Sequence, residues 1–343
     1  MLVEHVDRAV TELGLEGRRL MVAVSGGIDS SVLLRALVEL APARRLSLAV
    51  AHVQHELRGD ESTEDERTVR EWARELGLPW ECERADPHPF RASRSNRDRP
   101  TLQEAAREAR YGALLQMAAR WEADHIATAH NLDDQAETVL MRILRGTGPK
   151  GLGGIERQSR DGVLVRPLLE VSRAAIEEFA RARKIPWRED SSNAKDAYTR
   201  NRLRHHWIPA LRDEFNPQLL RTMGRLAEAL QEDERWIEEM VDEATRKMSS
   251  MRRTATREDL VWVSEGWTEL PDALAMRVVR RGLHDLGRGR DVTRVHLDRV
   301  LAFLRNPDVE TGRRIELPGG HEVVRTATGY RLRIGQRAGS SSC

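Results

Sequence analysis

Leu20–Ser30 reads L-M-V-A-V-S-G-G-I-D-S, and this stretch decides how the first part of the chain folds. Leu20–Val24 has the length and apolar composition of a buried strand, and apolar residues recur at helical spacing from Leu33 onward. Gly26 and Gly27 lie between them and permit a tight turn. A strand, a glycine turn and a helix start place backbone N–H groups around an anion. The stretch therefore predicts a phosphate-binding loop.

The serines of this loop strengthen the prediction. Ser25 and Ser30 supply hydroxyl donors, and Ser30 or Ser31 is expected to cap the helix that follows. The loop lacks the lysine of the G-x-x-x-x-G-K-S/T motif and does not match the dinucleotide motif G-x-G-x-x-G. An ordinary Ser/Gly turn with a helix cap is the alternative interpretation.

A second block, Thr128–Thr138 (T-A-H-N-L-D-D-Q-A-E-T), follows the predicted strand His125–Ala129. It is therefore expected at the carboxyl edge of the sheet, where open α/β folds bind ligands. Asp133 and Asp134 open the next helix, and carboxylates there also suit the helix dipole without any further role. As hard oxygen ligands, they equally fit a Mg²⁺ ion bound to a triphosphate.

Composition limits the class of protein. The chain has 343 residues, of which 40% are hydrophobic and 32% charged, as in a globular protein of two domains or slightly more. The net charge of +1 means that any nucleic-acid site must be a local basic patch. The two cysteines, Cys82 and Cys343, indicate a reducing cytoplasm rather than a disulfide framework. Neither a membrane-spanning run nor a signal peptide is apparent, so no membrane partner is expected.

Alternation of strand-like and helix-like stretches predicts an α/β fold, a Rossmann-like parallel sheet flanked by helices, over residues 1–214. Asn216 and Pro217 are expected to cap and open a long helix. A mainly helical domain with a short β-rich end is predicted for 215–337, and a disordered tail for 338–343. Further predicted elements are strands Leu46–Val53 and Leu78–Cys82, a loop over 85–100, and helices Thr101–Trp121, Asp133–Arg145, Asp272–Leu286 and Thr293–Leu304.

Ser25–Ser30 resembles the S-G-G-x-D-S loop of the ATP-pyrophosphatase (PP-loop) family, whose members split ATP into AMP and pyrophosphate. Over about residues 18 to 210 the chain is similar to the members of this family that modify tRNA. The segments that carry the similarity, in their order along the chain, are His52–Arg58, Glu104–Tyr111, Thr128–Thr138, Arg142–Gly153, Arg166–Leu169, Glu189–Asn193 and Tyr198–Arg204. Each segment is weak alone, whereas their common order and spacing are specific.

The resemblance implies an adenine nucleotide alpha hydrolase-like fold and an ATP-dependent ligation of free L-lysine to a tRNA. Lysine would be attached to C2 of the wobble cytidine in the isoleucine tRNA with a CAU anticodon. The reaction would pass through an adenylated cytidine and release AMP and pyrophosphate. ATP and Mg²⁺ are the implied cofactors, and a homodimer is left open.

The resemblance also implies roles for individual residues. The implied catalytic residues are Asp29, Arg110 and Asp134, of which Asp29 and Asp134 would also hold Mg²⁺. The implied ATP-binding residues are Ser25, Gly26, Gly27, Ile28, Asp29, Ser30 and His52. The implied substrate and tRNA residues are His130, Asp133, Lys150, Arg200, Asn201 and Arg204.

The basic run Arg200–Arg212 is the leading candidate for contact with tRNA phosphates, although a solvated helix face is the usual meaning of such a run. Arg200 and Arg204 would share one helix face. Their replacement by alanine is expected to weaken tRNA binding and to leave ATP affinity unchanged, because they lie far from the loop in sequence.

Three other functions compete with this interpretation. A tRNA thiolation enzyme of the same family would need reactive cysteines or a C-x-x-C cluster, and Cys82 and Cys343 do not have that spacing. An amide-forming synthetase fed by glutamine would need a glutaminase nucleophile, and the chain has no N-terminal cysteine. A non-catalytic nucleotide- or RNA-binding module would not exchange pyrophosphate into ATP, which separates it from an enzyme.

Overall fold

The computed structural model describes residues 1–55, 60–86, 88, 101–188, 199–253, 258–286 and 291–334. The chain divides into two compact units, Met1–Gln231 and Glu232–Cys343. The boundaries 1–214, 215–337 and 338–343 stay predictions. The tail, most of the predicted loop over 85–100, the segment Glu189–Asn193 and Tyr198 lie outside the described residues, as do residues 56–58.

The first unit is built on a five-stranded parallel sheet, as the sequence predicts. Its strands are β1 (Arg19–Ala23), β2 (Ser47–His55), β3 (Trp80–Ala85), β4 (His125–Ala127) and β5 (Leu164–Val165), arranged in the order β3-β2-β1-β4-β5. Central β1 pairs in parallel with both β2 and β4. Leu20 and Val22 pack into one apolar cluster and Met21 into another, so both faces of β1 are covered. That double burial explains why the strand reads as a continuous apolar run.

Helices connect and cover these strands. They span Leu2–Glu12, Ile28–Arg44, Asp60–Glu75, Leu102–Arg120, Leu132–Arg145, Pro149–Leu152, Arg173–Ala182, Thr199–Arg202 and Ile208–Glu214, with a π-helical turn over Leu203–Trp207. The predicted capping box is confirmed: the Thr101 hydroxyl accepts from the Glu104 N–H, and the Glu104 carboxylate accepts from the Thr101 N–H. This reciprocal pair fixes the start of Leu102–Arg120. Among the described residues, no helix is long and apolar enough to cross a membrane.

One predicted helix cap is wrong, and another is confirmed. The helix after the glycine turn begins at Ile28 with Gly27 as its cap, and Ser30 and Ser31 instead donate their hydroxyls to the Gly27 carbonyl. They lie too far into the first turn to cap it. The long helix is assigned from Leu219, and the predicted cap at Asn216 is confirmed, because the Asn216 side chain accepts from the Gln218 N–H at 2.9 Å as an N-cap residue does.

The second unit has its own core and its own sheet. The long helix Leu219–Met248 begins in the first unit and ends in the second. Five antiparallel strands follow, β6 (Ser249–Arg253), β7 (Glu258–Val263), β8 (Arg314–Leu317), β9 (His321–Thr326) and β10 (Gly329–Ile334), in the order β6-β7-β10-β9-β8. The predicted helices are present as Asp272–Asp285 and Arg294–Arg305. The β-rich end is therefore larger than predicted, since β6 and β7 join the terminal strands in one sheet.

Candidate active site

A cavity of about 890 Å³ lies at the carboxyl ends of β1, β2 and β4 in the first unit. It is the position expected for a ligand in an open parallel sheet. The cavity brings together the predicted site residues Ser25, Gly26, Gly27, Ile28, Asp29, Ser30, His52, Arg110, His130, Asp134, Arg200, Asn201 and Arg204. Two predicted site residues, Asp133 and Lys150, do not line it.

The loop after β1 is held in shape by its own hydrogen bonds. Gly26 has φ +91°, a left-handed conformation that disfavours any residue with a Cβ. The Ser25 N–H donates to Ser30 Oγ at 3.2 Å, and Ser30 Oγ donates to the Gly27 carbonyl at 2.9 Å. From outside the loop, the Arg188 N–H donates to the Gly26 carbonyl at 2.9 Å. The first N–H groups of Ile28–Arg44 are thereby directed at one place, because a helix start leaves them without intrahelical partners.

Asp29 is the acidic group of this loop, and its environment opposes its charge. Burial raises its pKa to about 6, against the opposing effect of the neighbouring Arg173 guanidinium and with a further raising effect from Asp134. Asn131 donates to one carboxylate oxygen at 3.1 Å, and Arg173 forms an ion pair with the other. Asp29 is therefore ionised at neutral pH, yet close enough to its pKa to exchange a proton.

Asp134 lies at the start of the next helix and faces two arginines. Its Oδ2 accepts from the Asn131 N–H at 3.1 Å, while Asn131 accepts from the Asp134 N–H at 3.0 Å, which forms a capping box. Its Oδ1 accepts from Arg200 and from Arg204, each at 3.1 Å. The Asp134 carboxylate thus stabilises the helix start and also binds the two arginines at the cavity wall.

Glu137 completes this arrangement, and the sequence analysis gave it no role. Its side chain is 1% exposed and accepts from Arg200 Nε at 2.6 Å and from Arg204 Nε. The two arginines are thus bound to two carboxylates rather than left on a solvated face. Arg204 lies in the π-helical turn, a distortion common at functional sites. Glu137 belongs to the block Thr128–Thr138, and its place in that block is the one sequence signal that indicated a role for it.

Asp133 and Lys150 lie outside the lining of the cavity, and their contact with substrate stays a prediction. Asp133 Oδ2 accepts from the Arg173 N–H at 2.8 Å, so this carboxylate holds the start of the helix Arg173–Ala182. Lys150 is exposed in the short helix Pro149–Leu152. The glycine-rich segment around it is anchored, because Gln135 accepts from the Ile155 N–H at 2.6 Å and donates to its carbonyl at 3.0 Å.

His52 and His130, which both line the cavity, are neutral at physiological pH. Burial lowers the pKa of His52, and its Nδ1 donates to the Val24 carbonyl at 2.8 Å. Burial also lowers the pKa of His130 to about 3, with arginines nearby acting in the same direction. His130 Nδ1 lies 3.0 Å from the Thr128 hydroxyl. Neutral imidazoles in these places can accept or donate one hydrogen bond but carry no charge for a phosphate.

The helix Leu102–Arg120 brings further positive charge to the cavity wall. Arg107 and Arg110 lie on the helix Leu102–Arg120, and their guanidinium carbons lie 5.0 Å and 5.6 Å from the centre of the Tyr111 ring. Burial lowers the pKa of Arg110, and the positive charges of Arg107 and Arg200 lower it further. Unlike Arg200 and Arg204, Arg107 and Arg110 have no carboxylate partner in the described part of the chain.

The donor set of the cavity fits a magnesium–nucleotide rather than a bare metal centre. The described residues contain no group of three or more side chains able to hold a metal ion. Asp29 and Asp134 supply hard carboxylate oxygens beside the phosphate loop. Mg²⁺ typically takes one or two protein carboxylates and completes its shell with phosphate oxygens and water.

Comparison with known proteins identifies the family of this chain. Residues 2–211 match the family model of the PP-loop domain, and residues 265–329 match that of the TilS substrate-binding domain. A tRNA(Ile)-lysidine synthase of Solibacter usitatus is 39% identical over 306 residues, which cover 88% of this chain and 64% of the relative. The corresponding enzyme of Bacillus cereus is 34% identical over 336 residues, 94% of this chain and 67% of the relative.

The chain spans about two thirds of the length of these curated relatives. Among solved structures, a U34-tRNA thiolase from Methanococcus maripaludis superimposes with a TM-score of 0.55 at 17% identity, over 67% of this chain and 79% of the other. That similarity shows the shared fold alone. The two family matches and the curated relatives together show that the chain belongs to the PP-loop family and, within it, to the tRNA(Ile)-lysidine synthases.

Proposed function

We propose that this chain ligates L-lysine to C2 of the wobble cytidine in the isoleucine tRNA with a CAU anticodon, converting ATP to AMP and pyrophosphate. The observation that carries the proposal is the single cavity that joins the phosphate loop to Asp29, Asp134 and Arg110. A phosphate loop alone fits any nucleotide-binding protein. Carboxylates in the same cavity, together with an arginine that forms no ion pair within the described ranges, fit a reaction at the α-phosphate.

In the first step, O2 of the cytidine attacks the α-phosphate of ATP, and the bond from that phosphorus to the β-phosphate oxygen breaks. Pyrophosphate leaves readily only if its charge is held, which the N–H groups and hydroxyls of Ser25–Ser30 support. Arg110 would stabilise the charge on the α-phosphate, since it has no carboxylate to neutralise it. Asp29 and Asp134 would hold Mg²⁺, which would supply further positive charge to the phosphates.

In the second step, the lysine ε-amine attacks C2, and the bond between C2 and O2 breaks as AMP leaves with that oxygen. The amine must be neutral to attack and must lose a proton afterwards. Asp29 and Asp134 lie where they can orient the amine, and a carboxylate with a pKa of about 6 can take the proton. The neutral His130 nearby adds no charge that would repel a protonated lysine.

The wobble cytidine must leave its stack to enter the cavity, so a single-stranded anticodon loop suits the site better than a duplex. Residues 265–329, which match the substrate-binding domain, support a tRNA partner for the second unit. A tRNA contact by Arg200, Asn201 and Arg204 stays a prediction. The cytoplasmic location and a homodimer stay predictions as well.

A tRNA thiolation enzyme of the same PP-loop family is the second candidate. The structure of the U34-tRNA thiolase carries a 4Fe–4S cluster. Such clusters are held mainly by cysteine thiolates, and this sequence has only Cys82 and Cys343. Burial raises the pKa of the Cys82 thiol to about 11, with nearby carboxylates acting in the same direction. A thiol of that kind is poorly suited to sulfur transfer.

The experiment that tests the proposal is incubation of the protein with ATP, Mg²⁺, L-lysine and the isoleucine tRNA, followed by mass spectrometry of the nucleosides. We expect lysidine in place of cytidine at the wobble position, and none when ornithine or ammonia replaces lysine. A thiolated nucleoside formed with a sulfur donor, without lysidine in the lysine reaction, would assign the chain to the thiolases.

A further inference from the structure

Arg107 is a cation at the cavity wall that the proposed reaction leaves without a role. It lines the cavity beside Arg110, three residues away on the same helix, and its side chain is exposed. The reaction at the α-phosphate employs one arginine of this pair. A second arginine at the same wall, without an ion pair to any residue that the structure describes, therefore calls for a second anion.

The surroundings of Arg107 make the case for an anionic ligand. Its charge acts on Arg110, Arg142 and Arg166, and lowers the pKa of each of them. No carboxylate of the described residues forms an ion pair with Arg107, whereas Arg173, Arg188, Arg200 and Arg204 in the same cavity all have one. Like charges gathered together destabilise one another, and a bound anion relieves that repulsion.

The Tyr111 ring holds Arg107 in place. The guanidinium carbon of Arg107 lies 5.0 Å from the ring centre, within the range of a cation–π contact. Tyr111 also lines the cavity, so the contact keeps the guanidinium at the wall instead of leaving it free in solvent. A cation held in advance loses less conformational freedom when it binds a phosphate.

We propose that Arg107 binds a phosphodiester of the substrate RNA next to the target cytidine, while Arg110 serves the α-phosphate of ATP. Both arginines would bind phosphates, and the burial of each arginine indicates which phosphate it binds. Arg110 is buried enough for desolvation to lower its pKa, whereas Arg107 is exposed, where a polymer arrives from solvent. The assignment rests on the proposed function, because it assumes an RNA substrate and an adenylation step.

The test compares Arg107→Gln with Arg120→Gln, a matched arginine on the same helix that pairs with Glu81 outside the cavity. tRNA affinity is titrated at several salt concentrations and ATP affinity is measured in parallel. We expect Arg107→Gln to weaken tRNA binding roughly tenfold and to lower the salt slope by about 0.7 to 0.9, as for one lost phosphate contact. ATP affinity should stay within about twofold, and Arg120→Gln should match the wild type.

Two further variants make the result specific. Arg107→Lys keeps the charge and should keep the salt slope. Tyr111→Leu removes the ring and should weaken tRNA binding. Loss of ATP affinity in Arg107→Gln with an unchanged tRNA salt slope would assign Arg107 to the nucleotide and overturn the proposal. Unchanged affinity for both ligands would overturn it too. These binding measurements need no lysine, so they stand apart from a failure to detect lysidine.

Discussion

The carboxylate of Asp29 is the group on which the proposed chemistry most depends. It lies in the phosphate loop and contacts Asn131 and Arg173, and its pKa is raised to about 6 mainly by burial. A raised pKa in a carboxylic acid means that the folded protein disfavours the charged form. The charge is therefore retained at a cost to stability, as expected of a functional group.

Asp29→Asn is expected to abolish most lysidine formation while leaving the fold intact. The variant removes the charge but keeps the shape, and since the folded protein disfavours that charge, its melting temperature should not fall. Loss of a group that orients a substrate or takes a proton typically lowers a rate by about 10²–10⁴-fold. Product formation and thermal unfolding measured on the same preparation check this, and normal turnover in a folded Asp29→Asn protein would remove Asp29 from the mechanism.

His130 gives a prediction about pH. Its pKa is about 3 in the folded protein, against about 6.5 for an unfolded histidine. Between these values the unfolded chain binds a proton that the folded protein does not. Folding stability is therefore fully present above pH 6.5 and is lost as the pH falls toward 3, by up to about 1.4 kcal/mol per pH unit.

His130→Gln should remove this part of the pH dependence. Denaturant unfolding at pH 7.5 and at pH 5.5 gives the free energy of unfolding for the wild type and the variant. We expect the wild type to lose more stability over this interval than His130→Gln, with the exposed His5→Gln as a control that matches the wild type. Equal losses in all three proteins would contradict a buried, neutral His130.

Helix-level features show what could be predicted from the sequence. The capping box at Thr101 was visible because its two partners lie three residues apart, within one local pattern. The ion pairs of the cavity were not visible, because their partners are distant: Arg200 and Glu137 are separated by 63 residues, and Arg173 and Asp29 by 144. Periodicity shows which residues form an element, whereas contacts between elements depend on the fold.

Arg200 and Arg204 illustrate the limit. The expected shared face is confirmed, but it meets Asp134 and Glu137. The expectation of unchanged ATP affinity rested on distance in sequence, and the structure places both arginines in the cavity of the phosphate loop. That reason no longer holds.

Arg200→Ala combined with Arg204→Ala should therefore lower stability as well as tRNA affinity. Glu137 would then be buried without a partner. Because the two arginines are partly exposed, we expect the free energy of unfolding to fall by about 1–3 kcal/mol. Thermal unfolding measures the first effect, and tRNA titration at several salt concentrations measures the second. A lower melting temperature with an unchanged salt slope would make the two arginines structural, with no tRNA phosphate contact.

The glycine-rich segment after the helix Leu132–Arg145 is anchored rather than a flexible connection, and one glycine in it tests this. Gly154 has φ +65°, and a Cβ there would collide with the Gln135 side-chain amide, which is fixed by its two bonds to Ile155. Gly154→Ala should lower the free energy of unfolding by about 1–3 kcal/mol. Gly148→Ala is the matched control, since Gly148 has φ −80° and open space around it. Equal stability of the two variants would mean that the segment is not held in this conformation.

In the molecule as a whole, the fold was easiest to predict where one sequence motif determines several consecutive elements. The phosphate loop fixed the strand, the turn and the following helix together, and the parallel sheet followed from the alternation around it. The second unit was harder, because β6 and β7 are short and gain their register from pairing with each other and with β10. The Trp262 and Trp267 rings, 5.5 Å apart in its core, gave no pattern that distinguishes a strand from a loop.

In the proposed reaction, ATP activates the cytidine and not the lysine. The most direct measurement is incubation of the protein with the isoleucine tRNA, Mg²⁺ and ATP labelled at the α-phosphate, without lysine, followed by a chase with lysine. We predict that label appears on the tRNA before the chase and is released as AMP when lysine is added, with one lysidine formed for each AMP released. Label that appears on lysine, or a tRNA that stays unlabelled while lysine and ATP alone release pyrophosphate, would contradict it.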